Sequence, residues 1–315
     1  MTISPASLLD LRSISTSEIQ SLFIQTQALK KSHSKVVLKR HSRNYFGEPI
    51  ALMFFEPSTR TRLSFQMAAQ RAGFSTVIFE VGSSTSLEKG ETLEDSFRNV
   101  SAMKPAAIVL RAPQHFPLRQ LATETQIPIF NAGWGVTGHP TQALLDQFSL
   151  YDRWGTLEGK RLLVVGDVSH SRVMSSHLEL SRLTGLELAV CGPTEWLERD
   201  LGGFKKFVNV DEGLAWAHAV MPLRVQFERH ENSKRDHKSE DFRKSYFEQF
   251  GIGPEKMKTH SHLDYVLHPG PVNYGIELDE AVARSSKSLI LEQVFNGVCL
   301  REALLVSRLT GGQHE

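Results

Sequence analysis

The run Ser58-Thr59-Arg60-Thr61-Arg62 concentrates hydroxyls and arginines in one short segment. Placed at the turn from a strand into a helix, it offers backbone N–H groups, hydroxyl donors and the positive end of a helix dipole to an anion such as phosphate. Arginine adds a planar fork that bonds phosphate or carboxylate oxygens in pairs. One Ser or Thr suffices to cap a helix, so the surplus points to a ligand. The stretch Ser83 to Thr92 is rich in hydroxyls and carries Lys89 and Gly90. It could close over an anion with Lys89 as a point charge, and it fits a plain surface loop equally well. His139-Pro140-Thr141-Gln142 puts an imidazole where it could polarise a carbonyl oxygen, although a lone histidine is more often structural. Arg172, Arg224 and Gln226 could hold a dicarboxylate, and each taken alone reads as an ordinary salt-bridging residue.

These residues need elements to position them. Short apolar runs predict strands at 51–55, 76–81, 106–110, 127–130, 162–165, 186–190, 219–221 and 265–267. Helical patterns lie between them. Ser15 to Glu18 reads as a capping box ahead of Ile19, Leu22 and Phe23. A second helix starts near Ser58 and stops at Gly73. Strand and helix in alternation predict an α/β fold of two doubly wound parallel-sheet domains joined by interdomain helices. The break is expected in the glycine-rich stretch 131–138, giving domains 1–138 and 139–285. The helical period of 286–315 predicts a last helix that packs back onto the first domain. Residues 230–244, polar and mixed in charge, read as a solvated loop.

Ligands of open α/β sheets bind outside the carboxyl ends of the strands. Polar signals follow six of the expected strands: Ser58–Arg62, Arg111, Asn131–His139, Asp167–Arg172, Arg224–Gln226 and His268-Pro269-Gly270-Pro271. That repetition implies one composite site. Composition narrows its partners. Thirty-six Lys+Arg against thirty-five Asp+Glu leave a net charge of +1, which argues against bulk attraction to nucleic acid or an anionic membrane. No apolar run is long enough to span a bilayer and no signal-peptide pattern opens the chain, so a soluble, cytoplasmic protein is expected. Cys191 and Cys299 stand alone, and no H-E-x-x-H, P-loop, G-x-S-x-G or G-x-G-x-x-G element occurs. No metal or organic cofactor is expected.

With these residues in view, the chain resembles the aspartate/ornithine carbamoyltransferases from Phe54-Phe55-Glu56-Pro57-Ser58-Thr59-Arg60-Thr61-Arg62 to its last helix. The Ser-Thr-Arg-Thr-Arg element is that family's carbamoyl-phosphate signature. Ser86-Leu87-Glu88-Lys89-Gly90-Glu91-Thr92, His139-Pro140-Thr141-Gln142 and Leu223-Arg224-Val225-Gln226 resemble the aspartate branch. The ornithine branch has a cysteine where this chain has Thr141, and a His-Cys-Leu-Pro element where this chain has His268-Pro269-Gly270-Pro271. The resemblance implies carbamoyl transfer from carbamoyl phosphate to the amine of L-aspartate, a step of pyrimidine biosynthesis. Ser58, Thr59, Arg60, Thr61 and Arg111 would hold the phosphate, while Thr61, Arg111 and His139 would stabilise the carbonyl oxygen. Gln142 and the backbone of Gly270 and Pro271 would bind the carbamoyl amide. Arg172, Arg224, Gln226 and Lys89 would hold L-aspartate. In the family Ser86 and Lys89 reach the neighbouring subunit's site, which implies a homotrimer. Whether a regulatory chain or a dihydroorotase joins it stays open.

The chain also departs from the pattern. Trp134 stands where the family has Asp, Tyr274 where it has Arg, and Met174 and His177 differ as well. None of these is assigned to the reacting groups. Two alternatives remain at this stage: a carbamoyltransferase for another amino acid, and a non-catalytic scaffold subunit.

Overall fold

The computed structural model describes residues 2–33, 49–80, 90–198, 200, 202–226 and 239–310. The chain divides into two compact units, one of Met1–Phe148 with Val294–Glu315 and one of Ser149–Gln293. No described helix is long and apolar enough to cross a membrane.

Unit 1 opens with α1 (Thr16–His33). The expected box caps it: Ser15 N–H donates to Glu18 Oε2 at 2.8 Å, and Glu18 N–H donates to Ser15 Oγ at 3.2 Å. Four parallel strands follow, β1 (Ile50–Phe54), β2 (Thr76–Glu80), β3 (Ala107–Ala112) and β4 (Ile129–Trp134), in the order β2-β1-β3-β4. Strand β1 is buried along its whole length, as a parallel strand covered on both faces must be. The connecting helices are α2 (Thr59–Arg71), α3 (Leu93–Ala102) and α4 (Leu118–Glu124). Met53, Phe97, Ile108, Leu110, Phe116 and Ile129 pack into one core, each large side chain contributing about 1.5–3 kcal/mol by leaving water.

The expected break at 131–138 lies inside this unit. Asn131 to Trp134 continue β4, and Trp134 N–H donates to Gly138 O at 3.0 Å to close a tight turn. Gly135 turns with φ +47°, and a Cβ there would lie 2.5 Å from the Gln114 backbone. The glycines of this stretch therefore build a turn, and the division between units falls ten residues later, within α5 (Pro140–Trp154).

Unit 2 contains five parallel strands, β5 (Arg161–Val165), β6 (Glu187–Cys191), β7 (Lys205–Phe207), β8 (Ala219–Pro222) and β9 (Tyr265–Val266), in the order β7-β6-β5-β8-β9. Its helices are α6 (Arg172–Thr184), α7 (Val210–Trp216), α8 (Glu240–Phe250), α9 (Pro254–Thr259) and α10 (Glu280–Ala283). Its core gathers Leu163, Val165, Ala189, Val220, Tyr246 and Ile252.

Three local differences from expectation have plain causes. Strand β7 has no apolar run because it is an edge strand with two exposed lysines. Residues 240–244 open α8 instead of continuing a loop. Ser239 Oγ accepts from Phe242 N–H at 3.2 Å, and buried Tyr246 and Phe250 share one face with half-buried Phe242. The last helix, α11 (Ile290–Leu309), starts later than residue 286 because Leu289 N–H is taken by Val266 O at 2.8 Å. From Val294 onward α11 belongs to unit 1.

Candidate active site

Each sheet reverses its winding once, and predicted polar residues follow the strands that flank both reversals, with others following the edge strands β4 and β9. In unit 1 the reversal lies between β1 and β3, where ligands of such sheets bind. Ser58 occupies the N-cap position of α2, yet its side chain caps nothing. Its Oγ accepts instead from Arg111 Nη1 at 3.2 Å, joining the ends of the two strands. Arg111 Nε also stands 3.5 Å from Glu56 Oε2. Thr59 and Arg60 are exposed on the first turn of α2, and Thr61 is 8% exposed. First-turn N–H groups point out of a helix by construction, so this turn presents donors and positive charge together.

At the end of β4, His139 is 4% exposed and its carbonyl starts α5 by accepting Gln142 N–H at 3.0 Å. Pro140 stands at the first helical position, where a missing N–H costs nothing. Gln142 Nε2 donates to the buried Asp146 Oδ1 at 2.9 Å. Behind these first turns lies Arg301 of α11, buried to 3% exposure. It donates to Ser64 Oγ on α2 at 2.7 Å and to Thr141 Oγ1 on α5 at 3.3 Å. Burial lowers its guanidinium to about 10, with Asp146 opposing the shift. Trp134, in place of the family's Asp, donates from its indole N–H to Phe116 O at 3.1 Å.

In unit 2 the reversal lies between β5 and β8. Ser171 caps α6 by accepting Met174 N–H at 3.3 Å, which sets the half-buried Arg172 on the first turn. Asp167, fully buried, holds the preceding loop through His170 Nδ1 at 2.8 Å. Gln226 Nε2 donates to His170 O at 3.3 Å. That bond ties the Arg224-Val225-Gln226 segment after β8 to the Asp167–Arg172 loop after β5. Beyond β9, Gly270 N–H donates to His268 Nδ1 at 2.8 Å. Asn273 Nδ2 reaches Val225 O at 3.5 Å, bringing the Gly270-Pro271 loop beside the same segment.

Of the predicted site residues, Ser58, Thr59, Arg60, Thr61, Arg111, His139 and Gln142 lie in unit 1, and Arg172, Arg224, Gln226, Gly270 and Pro271 in unit 2. Ser86 and Lys89 lie outside the described residues. Among the described residues no group of three His, Cys, Asp or Glu side chains is placed to hold a metal ion. Sequence reasoning missed Arg301, Asp146 and Glu277, all buried. One signal was available: Arg301 falls on the same stripe of α11 as Val298 and Leu305, a cation at a core position.

Residues 6–152 match the family model of the aspartate/ornithine carbamoyltransferase carbamoyl-P binding domain, and residues 158–308 match that of its Asp/Orn binding domain. The aspartate carbamoyltransferase catalytic subunit of Desulfitobacterium hafniense is 38% identical over 97% of this chain and 96% of its own. The catalytic subunit of M. jannaschii aspartate transcarbamoylase superposes with a TM-score of 0.80 at 27% identity, over 98% of this chain and 100% of its own. The Trypanosoma cruzi aspartate transcarbamoylase in complex with N-(phosphonacetyl)-L-aspartic acid gives 0.79 at 26% identity, over 97% and 96%. Two family models in sequence order, with relatives alike along nearly the full length, carry one conclusion: the chain belongs to the aspartate/ornithine carbamoyltransferase family.

Proposed function

We propose that this chain transfers the carbamoyl group of carbamoyl phosphate to the amine of L-aspartate, giving N-carbamoyl-L-aspartate and phosphate. The observation that carries this reading is the bond from Gln226 to His170 O, which links the segments bearing Arg224 and Arg172 at one sheet reversal. Two guanidinium groups suit the two carboxylates of aspartate and repel the cationic side chain of ornithine. The relatives' shared name, aspartate carbamoyltransferase catalytic subunit, supports the same choice of amine.

The chemistry follows from the groups on each unit. Ser58, Thr59, Arg60, Thr61 and Arg111 bind the phosphate. The unprotonated amine nitrogen attacks the carbonyl carbon, a C–N bond forms, and the carbonyl oxygen gains negative charge. Thr61, Arg111 and His139 stabilise that oxyanion with donors already in place. Gln142 and the backbone of Gly270 and Pro271 hold the carbamoyl amide. The C–O bond to phosphate then breaks, and the leaving phosphate takes the amine proton. Positioning and preorganised charge supply the acceleration, with no covalent intermediate on the protein.

The reading extends to a cytoplasmic homotrimer serving pyrimidine synthesis, in which Ser86 and Lys89 act on a neighbouring copy's site. Exposed Leu63 and Met67 on α2, and exposed Val77 and Ile78 on edge strand β2, support an apolar contact between copies. The test supplies the purified full chain with carbamoyl phosphate and either L-aspartate or L-ornithine, and measures its mass by light scattering. Carbamoyl-aspartate from a particle of three chains is expected. Preferential carbamoylation of L-ornithine would overturn the choice of amine, and a monomeric active enzyme would overturn the shared site.

A further inference from the structure

Glu277 is buried to 1% exposure, and its carboxylate faces an equally buried histidine, His268. The hydrogen bonds around the pair fix their roles. Gly270 N–H donates to His268 Nδ1 at 2.8 Å, so Nδ1 carries no proton and the ring hydrogen sits on Nε2. That Nε2 stands 3.3 Å from Glu277 Oε1, within ion-pair distance but without a hydrogen bond between them. The same oxygen accepts Asn273 N–H at 2.5 Å, and Asn273 Nδ2 in turn reaches Val225 O at 3.5 Å. His268 N–H is held by Gln293 Oε1 at 3.0 Å. One carboxylate oxygen therefore bears on both ends of the loop of residues 268–273, by a hydrogen bond at Asn273 and by its charge at His268, and through Asn273 it reaches the segment that carries Arg224 and Gln226.

The arrangement is costly to maintain. Glu277 Oε2 has no hydrogen-bond partner among the described residues, and an unsatisfied buried charge calls for an explanation. A neutral amide could accept Asn273 N–H without that cost. What only a carboxylate adds is negative charge facing the imidazole, which makes Nδ1 a stronger acceptor for Gly270 N–H. Gly270 has φ +69°, one of several conformations open to a glycine, so a hydrogen bond to its N–H selects a single orientation of the peptide.

We propose that Glu277 and His268 are positioning residues: together they orient the Gly270 peptide, and hence the backbone that receives the carbamoyl amide. This rests on the reaction proposed above. The two residues touch no reacting atom and act through the loop.

Three variants of the full chain separate this from a merely structural role. His268→Leu removes the acceptor for Gly270 N–H. His268→Asn restores an oxygen that can accept the N–H two residues on, without reaching Glu277. Glu277→Gln keeps an acceptor for Asn273 but removes the charge. We expect kcat to fall on the order of tenfold to a hundredfold in His268→Leu, with substantial recovery in His268→Asn. Glu277→Gln should lower kcat and also raise the KM for L-aspartate, because both arms of its grip loosen. Ring nitrogen shifts in 15N-histidine-labelled wild type should report Nε2–H and an unprotonated Nδ1 at His268, whatever the activity. Folded variants with wild-type kinetic constants and lowered thermal midpoints alone would overturn the positioning role. So would a protonated Nδ1. An inactive wild type would instead refute the underlying reaction, and the positioning role with it.

Discussion

Replacing Arg301 with Met tests what holds the two site helices of unit 1 together. The substitution keeps a flexible stem and deletes the charge. Burial lowers the guanidinium from its ordinary range to about 10, which corresponds to about 3 kcal/mol spent in keeping it charged inside the protein. Against that stand the bonds to Ser64 and Thr141, each worth about 1.5–3 kcal/mol when charge-assisted. Contact with the face of Phe65, 5.0 Å away, adds about 1–2 kcal/mol. Removal also strips the fully buried Asp146 of a compensating positive charge. The balance predicts a destabilisation of about 2–4 kcal/mol. The native guanidinium deprotonates at a lower pH than the unfolded one, so its burial penalty is complete below pH 10 and is relieved only above it. The loss should therefore be constant from about pH 6 to pH 9. Urea unfolding of wild type, Arg301→Met and Arg301→Lys, followed by circular dichroism, measures it. The midpoint should fall by about 1 M or more in Arg301→Met, with Arg301→Lys between the two. A Met variant as stable as wild type would mean the opposite balance, with desolvation outweighing every bond the guanidinium makes.

Other consequences follow from single contacts. Ser58→Ala should lower carbamoyl transfer on the order of tenfold or more. Its unfolding free energy should shift by less than about 0.5 kcal/mol, because the hydroxyl bonds Arg111 and caps nothing; the reverse pattern would mark it as a helix cap. Tyr246 has a buried hydroxyl with no partner among the described residues, and burial pushes its ionisation well above the usual range. Tyr246→Phe should accordingly raise the thermal midpoint or leave it unchanged, and a loss beyond about 1 kcal/mol would mean that the hydroxyl has a partner. Burial pushes the Cys191 and Cys299 thiols up to about 12, so native protein at pH 8 should resist iodoacetamide until it unfolds. Above about pH 9 the unfolded thiols lose protons that the native ones keep, so this contribution to stability falls as pH rises.

The strand ends were legible because burial on both faces writes itself into apolar runs, and polar residues follow those runs directly. Ser58, Arg111, His139, Arg172 and Arg224 could be placed at strand ends that way. Strand β7 could not, since Lys205 and Lys206 face solvent and only Phe207 is buried. The opening turn of α8 was hidden by its charges, although Ser239 and the spacing of Phe242, Tyr246 and Phe250 carried the helix. The turn at 131–138 resembled a linker because glycine serves both uses. Glu277, Asp146 and Arg301 belong to a different class. Burial of a charged side chain is decided by the elements packed around it, and the neighbouring sequence does not report which elements those are.

The most direct measurement varies both substrates in the formation of N-carbamoyl-L-aspartate by the wild-type chain, Arg60→Ala and Arg224→Ala. Product is expected from the wild type. Arg60→Ala should lose turnover and carbamoyl-phosphate saturation, and Arg224→Ala should show a raised KM for L-aspartate with carbamoyl-phosphate saturation kept. A folded wild type that forms no product, or variants that match it, would contradict the claim that these two sheet reversals bind the two substrates.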